Sequence, residues 1–246
     1  MPNNFKLFCQ TLTLALNILN YGCVTVDAEA EAETVDPVSA AESRIALGIA
    51  YMERGHYLRA RQDFEKALEL APDYYRTHLS MAHFHQVVGE LDLAQDTYNK
   101  ALKRYPNNGN VYHNYGTFLC KQNRYDLADQ QFHLAIRQPS YFNKADSYEN
   151  AGLCALKAGQ DSKAKGYLEK ALAHDPFKPN ATIQLAALEF GAGNYTSARV
   201  RLMTFHQRYG YQKPSLKLLI AIEQQSGNVV MANHYQQQLN LLEASK

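Results

Sequence analysis

Four cysteines, nine histidines and scattered serines are the side chains of this 246-residue chain that could do covalent or metal chemistry. His83 and His85 form an H-x-H pair, but residues i and i+2 on a helix point away from each other. His78 with His85, or His113 with Cys120, would each need a further partner that the sequence does not place beside them. Ser43 and Ser80 have no nucleophile elbow around them, and no Gly-rich phosphate loop follows a strand. Met52 and the 17 tyrosines suit packing better than a cofactor box. We therefore expect no enzymatic reaction, no metal ion, no cofactor and no small-molecule substrate. Two possibilities are left: the chemistry of the cysteines and a surface that binds another protein.

The elements that would position such groups follow from a repeat. Turn residues recur at Gly55, Gly89, Asn123, Gly159, Gly193 and Gly227, at intervals of 34 residues with one of 36. Ala60, Ala94, Ala128, Ala164, Ala198 and Ala232 keep the same register, and Gly48, Ala82, Gly116, Gly152 and Ala186 place a small residue in each preceding helix. A 34-residue period with these marks is the tetratricopeptide (TPR) pattern of paired helices. Small residues let the two helices of a unit approach, aromatics such as Phe64, Tyr98, Tyr112 and Phe132 fill the seams, and Gly or Asn ends each first helix in the left-handed conformation. The fold class is thus all-α, a TPR solenoid of six helix–turn–helix repeats at 41–74, 75–108, 109–142, 145–178, 179–212 and 213–246. Two extra residues fall within 138–144. The sixth repeat, with Ile220 in place of the small residue and Gln224, Gln225 and Gln236 to Gln238 around it, suits a cap that meets water.

Residues 1–22 stand apart from the repeats. Lys6 precedes an apolar run from Leu7 to Leu19 that is too short to span a membrane and has the layout of a secretory signal. Gly22-Cys23 follows, and a small residue before Cys at the end of such a segment resembles the bacterial lipoprotein signal, in which Cys23 would be lipidated. An uncleaved anchor or ordinary secretion are the other outcomes of such a leader. Residues 23–40 form an acidic tether with Asp27, Glu29, Glu31, Glu33 and Asp36 and no basic residue. The repeats then carry 24 basic and 19 acidic residues, a net of +5, within a chain of net charge +1. That balance argues against nucleic acid as a partner. Thr25 lies two places after Cys23 and no Asp follows it directly, which by resemblance to lipoprotein sorting implies the periplasmic face of the outer membrane.

The repeat register also places the binding surface and the remaining thiols. Positions 2, 5, 9, 12 and 13 of a TPR unit line its concave groove, so Ile45, Ile49, Met52, Leu79 and Val87, with His83 among them, are expected as an apolar stripe open to a partner. A peptide, extended or helical, laid in that groove is the expected use. Cys120 and Cys154 fall at positions 12 and 10 of successive first helices. With Cys23 acylated and the leader removed they are an even pair in an oxidising compartment, and a disulfide between repeats three and four is expected.

The middle repeats carry a more specific likeness. The phrases Asn114-Tyr115-Gly116-x-Phe118-Leu119-Cys120, Arg124-Tyr125-Asp126-x-Ala128 and Tyr148-Glu149-Asn150-Ala151-Gly152-Leu153-Cys154-Ala155-Leu156 resemble the type IV pilus biogenesis and stability lipoproteins called PilF or PilW. The resemblance implies an outer-membrane pilotin, a protein that brings the secretin subunit to the outer membrane and helps it assemble its ring. A TPR lipoprotein scaffold of another envelope assembly machine, or a cytosolic chaperone-type scaffold whose leader is no signal, are the other readings.

Overall fold

The computed structural model describes residues 36–244, so the expected leader, most of the tether and Cys23 lie outside the described residues. Twelve helices and no strand occur among the described residues. They pair as α1 (Pro37–Glu53) with α2 (Tyr57–Leu70), α3 (Tyr75–Val87) with α4 (Leu91–Arg104), and α5 (Gly109–Lys121) with α6 (Tyr125–Arg137). The chain continues with α7 (Lys144–Lys157) and α8 (Asp161–His174), α9 (Pro179–Gly191) and α10 (Tyr195–Tyr209), and α11 (Lys213–Gln225) and α12 (Val229–Ala244). The first helix starts at Pro37, four residues ahead of the expected repeat boundary at 41. Proline suits a first helical position, because its missing N–H would have no partner there.

Every expected turn residue, from Gly55 to Gly227, has positive φ, and Asn123 at φ 59° is the one that is not glycine. Asparagine tolerates this region better than other side chains do. The small residues of the first helices matter for a different reason. A Cβ on Gly48 would sit 2.5 Å from the Phe64 ring, and one on Gly116 would sit 3.2 Å from the Ala128 carbonyl oxygen. Units one, three and four therefore close as small-on-small crossings, with Phe64, Phe132 or Leu168 buried beside them.

Burial is distributed along the stack, as a solenoid requires. One apolar cluster runs from Leu79 to Tyr167 across repeats two to four, and another joins Ala186 to Leu239 across repeats five and six. The extra residues within 138–144 act as a plug between repeats. Tyr141 is buried against Gly109, where a Cβ would meet its ring at 2.4 Å, and its hydroxyl lies 2.8 Å from the Ser147 hydroxyl. Phe142, next in the chain, points outward and is 93% exposed.

Charged side chains fasten the ends. Glu223 of α11 is 1% exposed and receives both Arg199 Nε (2.6 Å) and Arg199 Nη2 (3.1 Å) from α10, with Asn228 Nδ2 donating at 3.0 Å. At the other end Glu90 accepts from Arg61 of α2 at 2.9 Å and lies 2.6 Å from His85 Nδ1. The His85 hydrogen bond first, and then Arg61, hold the Glu90 carboxyl below the usual carboxylate range.

Candidate protein-binding groove

The odd-numbered helices run parallel, because each is separated from the next by one antiparallel helix and two short turns. They touch in sequence, α1 with α3, α3 with α5 and so on to α11, and their side chains form one continuous inner face. Near its start this face holds a cavity of about 260 Å³. Ile49 of α1, Arg76, Leu79 and His83 of α3, and Asn110 and Asn114 of α5 line it.

The expected apolar stripe divides on burial. Ile49, at 36% exposed, and Val87 are open to solvent, while His83 is half-buried. Leu79 is buried yet forms part of the cavity wall. Ile45 and Met52, in contrast, are core residues and not part of the expected open stripe. Ile45 is 1% exposed and packs with Ala41, Ala67 and Ala71. Met52 is buried with Ala60, Phe64, Met81 and Phe84. Their positions face the second helix of the unit and the following repeat, so the close crossing at Gly48 draws them in.

Polar groups frame the apolar patch. Arg76 pairs with Glu42 at 2.9 Å, and Glu42 also accepts a short hydrogen bond from the Tyr74 hydroxyl. Burial, followed by the Glu42 hydrogen bond, pushes the Tyr74 phenol up to about 12. The His83 imidazole is held below its usual value by burial and then by the Lys121 charge, so it is neutral at pH 7. A neutral ring beside Ile49 and Leu79 keeps this end of the groove apolar. His85, by contrast, bonds to Glu90 outside the groove cavity, so the H-x-H pair shares no site.

Farther along, a second cavity of about 390 Å³ is lined by Thr117, Lys121, Asn150, Leu153, Lys157 and Gln184, among others. Cys120 and Cys154 are part of its wall. Their sulfurs are placed at bonding contact and their Cα atoms are 5.9 Å apart, within the range a disulfide spans. His113 lies 2.8 Å from the Ser147 hydroxyl and 3.3 Å from Asn150 Nδ2, so its partners are these side chains and not Cys120. The amides Asn114, Asn150 and Gln184 were not marked as groove residues from the sequence, although Asn114 and Asn150 lie in the phrases that carry the family resemblance. Their spacing of 36 and 34 residues, the repeat interval itself, is the signal that would have found them.

A larger cavity, about 580 Å³, opens between α8, α9 and α10. Its Arg201 is held by Glu189 through two hydrogen bonds of 2.6 and 3.0 Å. Among the described residues no group of three His, Cys, Asp or Glu could hold a metal ion, and no helix is long and apolar enough to cross a membrane.

Comparison with known proteins follows the same lines. Tetratricopeptide-repeat family models match residues 41–74, 77–108 and 97–130. The chain is 33% identical over 183 residues to the type IV pilus assembly protein PilF of Pseudomonas aeruginosa, covering 74% of this chain and 73% of that protein. The solved structure of Pseudomonas aeruginosa PilF aligns with a TM-score of 0.71 at 31% identity, over 85% of this chain and 95% of that one. The structure of PilW, a widely conserved type IV pilus biogenesis factor, aligns with a TM-score of 0.71 at 30% identity, over 82% and 92% of the two chains.

Proposed function

The chain belongs to the PilF/PilW family of type IV pilus biogenesis TPR proteins, and from that footing we propose that it is a pilotin: it binds the secretin subunit of the pilus machine and promotes its localisation and assembly into multimers. The observation that carries this reading is the open apolar end of the groove, where Ile49 and Val87 meet solvent beside a neutral His83. An exposed apolar surface of this kind marks a partner site. A scaffold that holds a partner needs no catalytic group, and the groove's polar side chains serve to orient a bound segment.

Cys23 acylation anchors the protein to the periplasmic face of the outer membrane, and the residues between Cys23 and Pro37 set its reach. In that oxidising compartment Cys120 and Cys154 form a disulfide that staples repeats three and four. The 5.9 Å separation of their Cα atoms supports the bridge.

Deleting the gene tests the pilotin role directly. Secretin monomer is expected to persist, while heat-stable multimer and surface pili are lost. Multimer at parental levels in the deletion strain would reject the proposal.

The groove can be tested separately on the purified protein. Replacing both Ile49 and Val87 with Gln should weaken secretin binding by roughly tenfold or more, since each removes about 1 kcal/mol of apolar contact. Both side chains are solvent-exposed, so the melting temperature should move little. Unchanged affinity in the double variant would place the contact elsewhere.

A further inference from the structure

Parallel packing of the odd-numbered helices brings all their N-termini to one edge of the solenoid. Contacts between neighbouring starts make this concrete: Arg76 in α3 pairs with Glu42 in α1, Asn110 in α5 donates to the Tyr75 hydroxyl, and Lys178, just before α9, pairs with Asp146 and Glu149 of α7. Pro37, where the segment after Cys23 enters the repeats, lies on this same edge.

The loops along this edge change character partway. In those before α3 and α5 the exposed positions are Pro72-Asp73 and Pro106-Asn107, and the rings of Tyr74 and Tyr105 are partly buried. Those before α7, α9 and α11 each present an aromatic ring: Phe142, then Phe177 at 62% exposed, then Tyr211, also exposed. Cationic groups flank them. Lys144 follows Phe142 by two residues, and the Arg208 guanidinium lies 4.5 Å from the Phe177 ring centre while donating to the Pro176 carbonyl at 3.0 Å. Phe142 stands clear of the surface and Phe177 stays mostly exposed beside Arg208, where a second protein would need complementary pockets to hold them. A row of single rings beside Lys and Arg matches the boundary between lipid headgroups and acyl chains.

We propose that this edge of repeats three to six rests on a phospholipid surface, with Phe142, Phe177 and Tyr211 inserted at the headgroup level. The inference rests on the anchored reading of Cys23, because the tether delivers the domain to the membrane by the edge that carries the rings. At up to about 3.3–3.6 Å per residue, the 14 residues from Cys23 to Pro37 leave the domain within a few tens of ångströms of the bilayer.

The chain has no tryptophan, so one introduced residue is a clean fluorescent reporter. Phe142→Trp and Phe177→Trp report from the edge. Val230→Trp, at the start of α12 on the opposite edge and also exposed, is the control. The acylated full-length protein is reconstituted in phosphatidylethanolamine–phosphatidylglycerol vesicles, with and without brominated acyl chains. Blue-shifted, bromine-quenched emission at positions 142 and 177 but not at 230 is the expected result. Emission at 142 and 177 that is as solvent-like as at 230 overturns the proposal.

The mature chain carrying Cys23→Ser and lacking the apolar leader of residues 1–22, titrated with the same vesicles, removes the anchor from the measurement. Vesicle binding should then fall about tenfold for each of Phe142→Ser and Phe177→Ser, as loss of a ring's burial implies. Binding indifferent to both changes also overturns it. The mass of the Cys23 peptide reports acylation independently, so a failed anchor and a failed edge are distinguishable. A blue shift at 142 and 177 on adding purified secretin without lipid, and none on vesicles, would assign the edge to a protein and refute the lipid contact.

Discussion

Replacing Arg199 with Met is expected to destabilise the last two repeats by about 3 kcal/mol or more. The Glu223 carboxylate is 1% exposed, and Arg199 meets it through two nitrogens at 2.6 and 3.1 Å. Removing the guanidinium leaves a charge in the α10–α11 interface with only Asn228 to satisfy it. A buried pair broken on one side costs far more than the pair contributes, because the remaining ion has lost its water. The double change Arg199→Met with Glu223→Leu should therefore recover most of the lost stability. Urea unfolding of the three proteins measures both quantities. The loss should be confined to α9–α12, since a solenoid couples mainly nearest neighbours, and hydrogen exchange would locate it. An Arg199→Met protein as stable as the parent would mean that this carboxylate is hydrated after all.

Loss of the proposed Cys120–Cys154 bridge is expected to be the second large effect. Closing a loop over a sequence separation of 34 residues restricts the unfolded chain by about 3–4 kcal/mol in the chain-entropy account. Neighbouring repeats are already held together by packing, so the measured change should fall at or below that value. Protein purified from the periplasm without reductant should contain no alkylatable thiol at either position, and Cys154→Ala should lower the unfolding midpoint. A parent protein whose two cysteines react freely with an alkylating reagent would remove the bridge from the account.

The periodicity of the sequence was enough to place the twelve helices, because the turn glycines and the small residues at helix crossings are demanded by the backbone itself. A Cβ at Gly48 would press into the Phe64 ring, and most side chains at position 123 would be strained by its positive φ, which Asn tolerates. The groove was harder to read. Ile45, Ile49 and Met52 are all apolar, and which one stays open depends on how α1 packs on its neighbours, with Phe64 against Gly48 and in one cluster with Met52. Tyr141 and Phe142 pose the same difficulty in the extra segment. One is buried and the other exposed because Gly109, some thirty residues away, leaves a hollow for one ring. Side-chain composition marks such residues as apolar but does not say which neighbour covers them.

The nearest-neighbour packing of the repeats has a consequence for how the protein is made. Even the hydrogen bond from Tyr167 to Asp129 spans only 38 residues, and contacts this local favour fast folding. A chain delivered N-terminus first can complete each pair of units as it arrives, without waiting for distant segments. The end of the groove that holds Ile49 and Val87 would then be finished while the later repeats are still in transit.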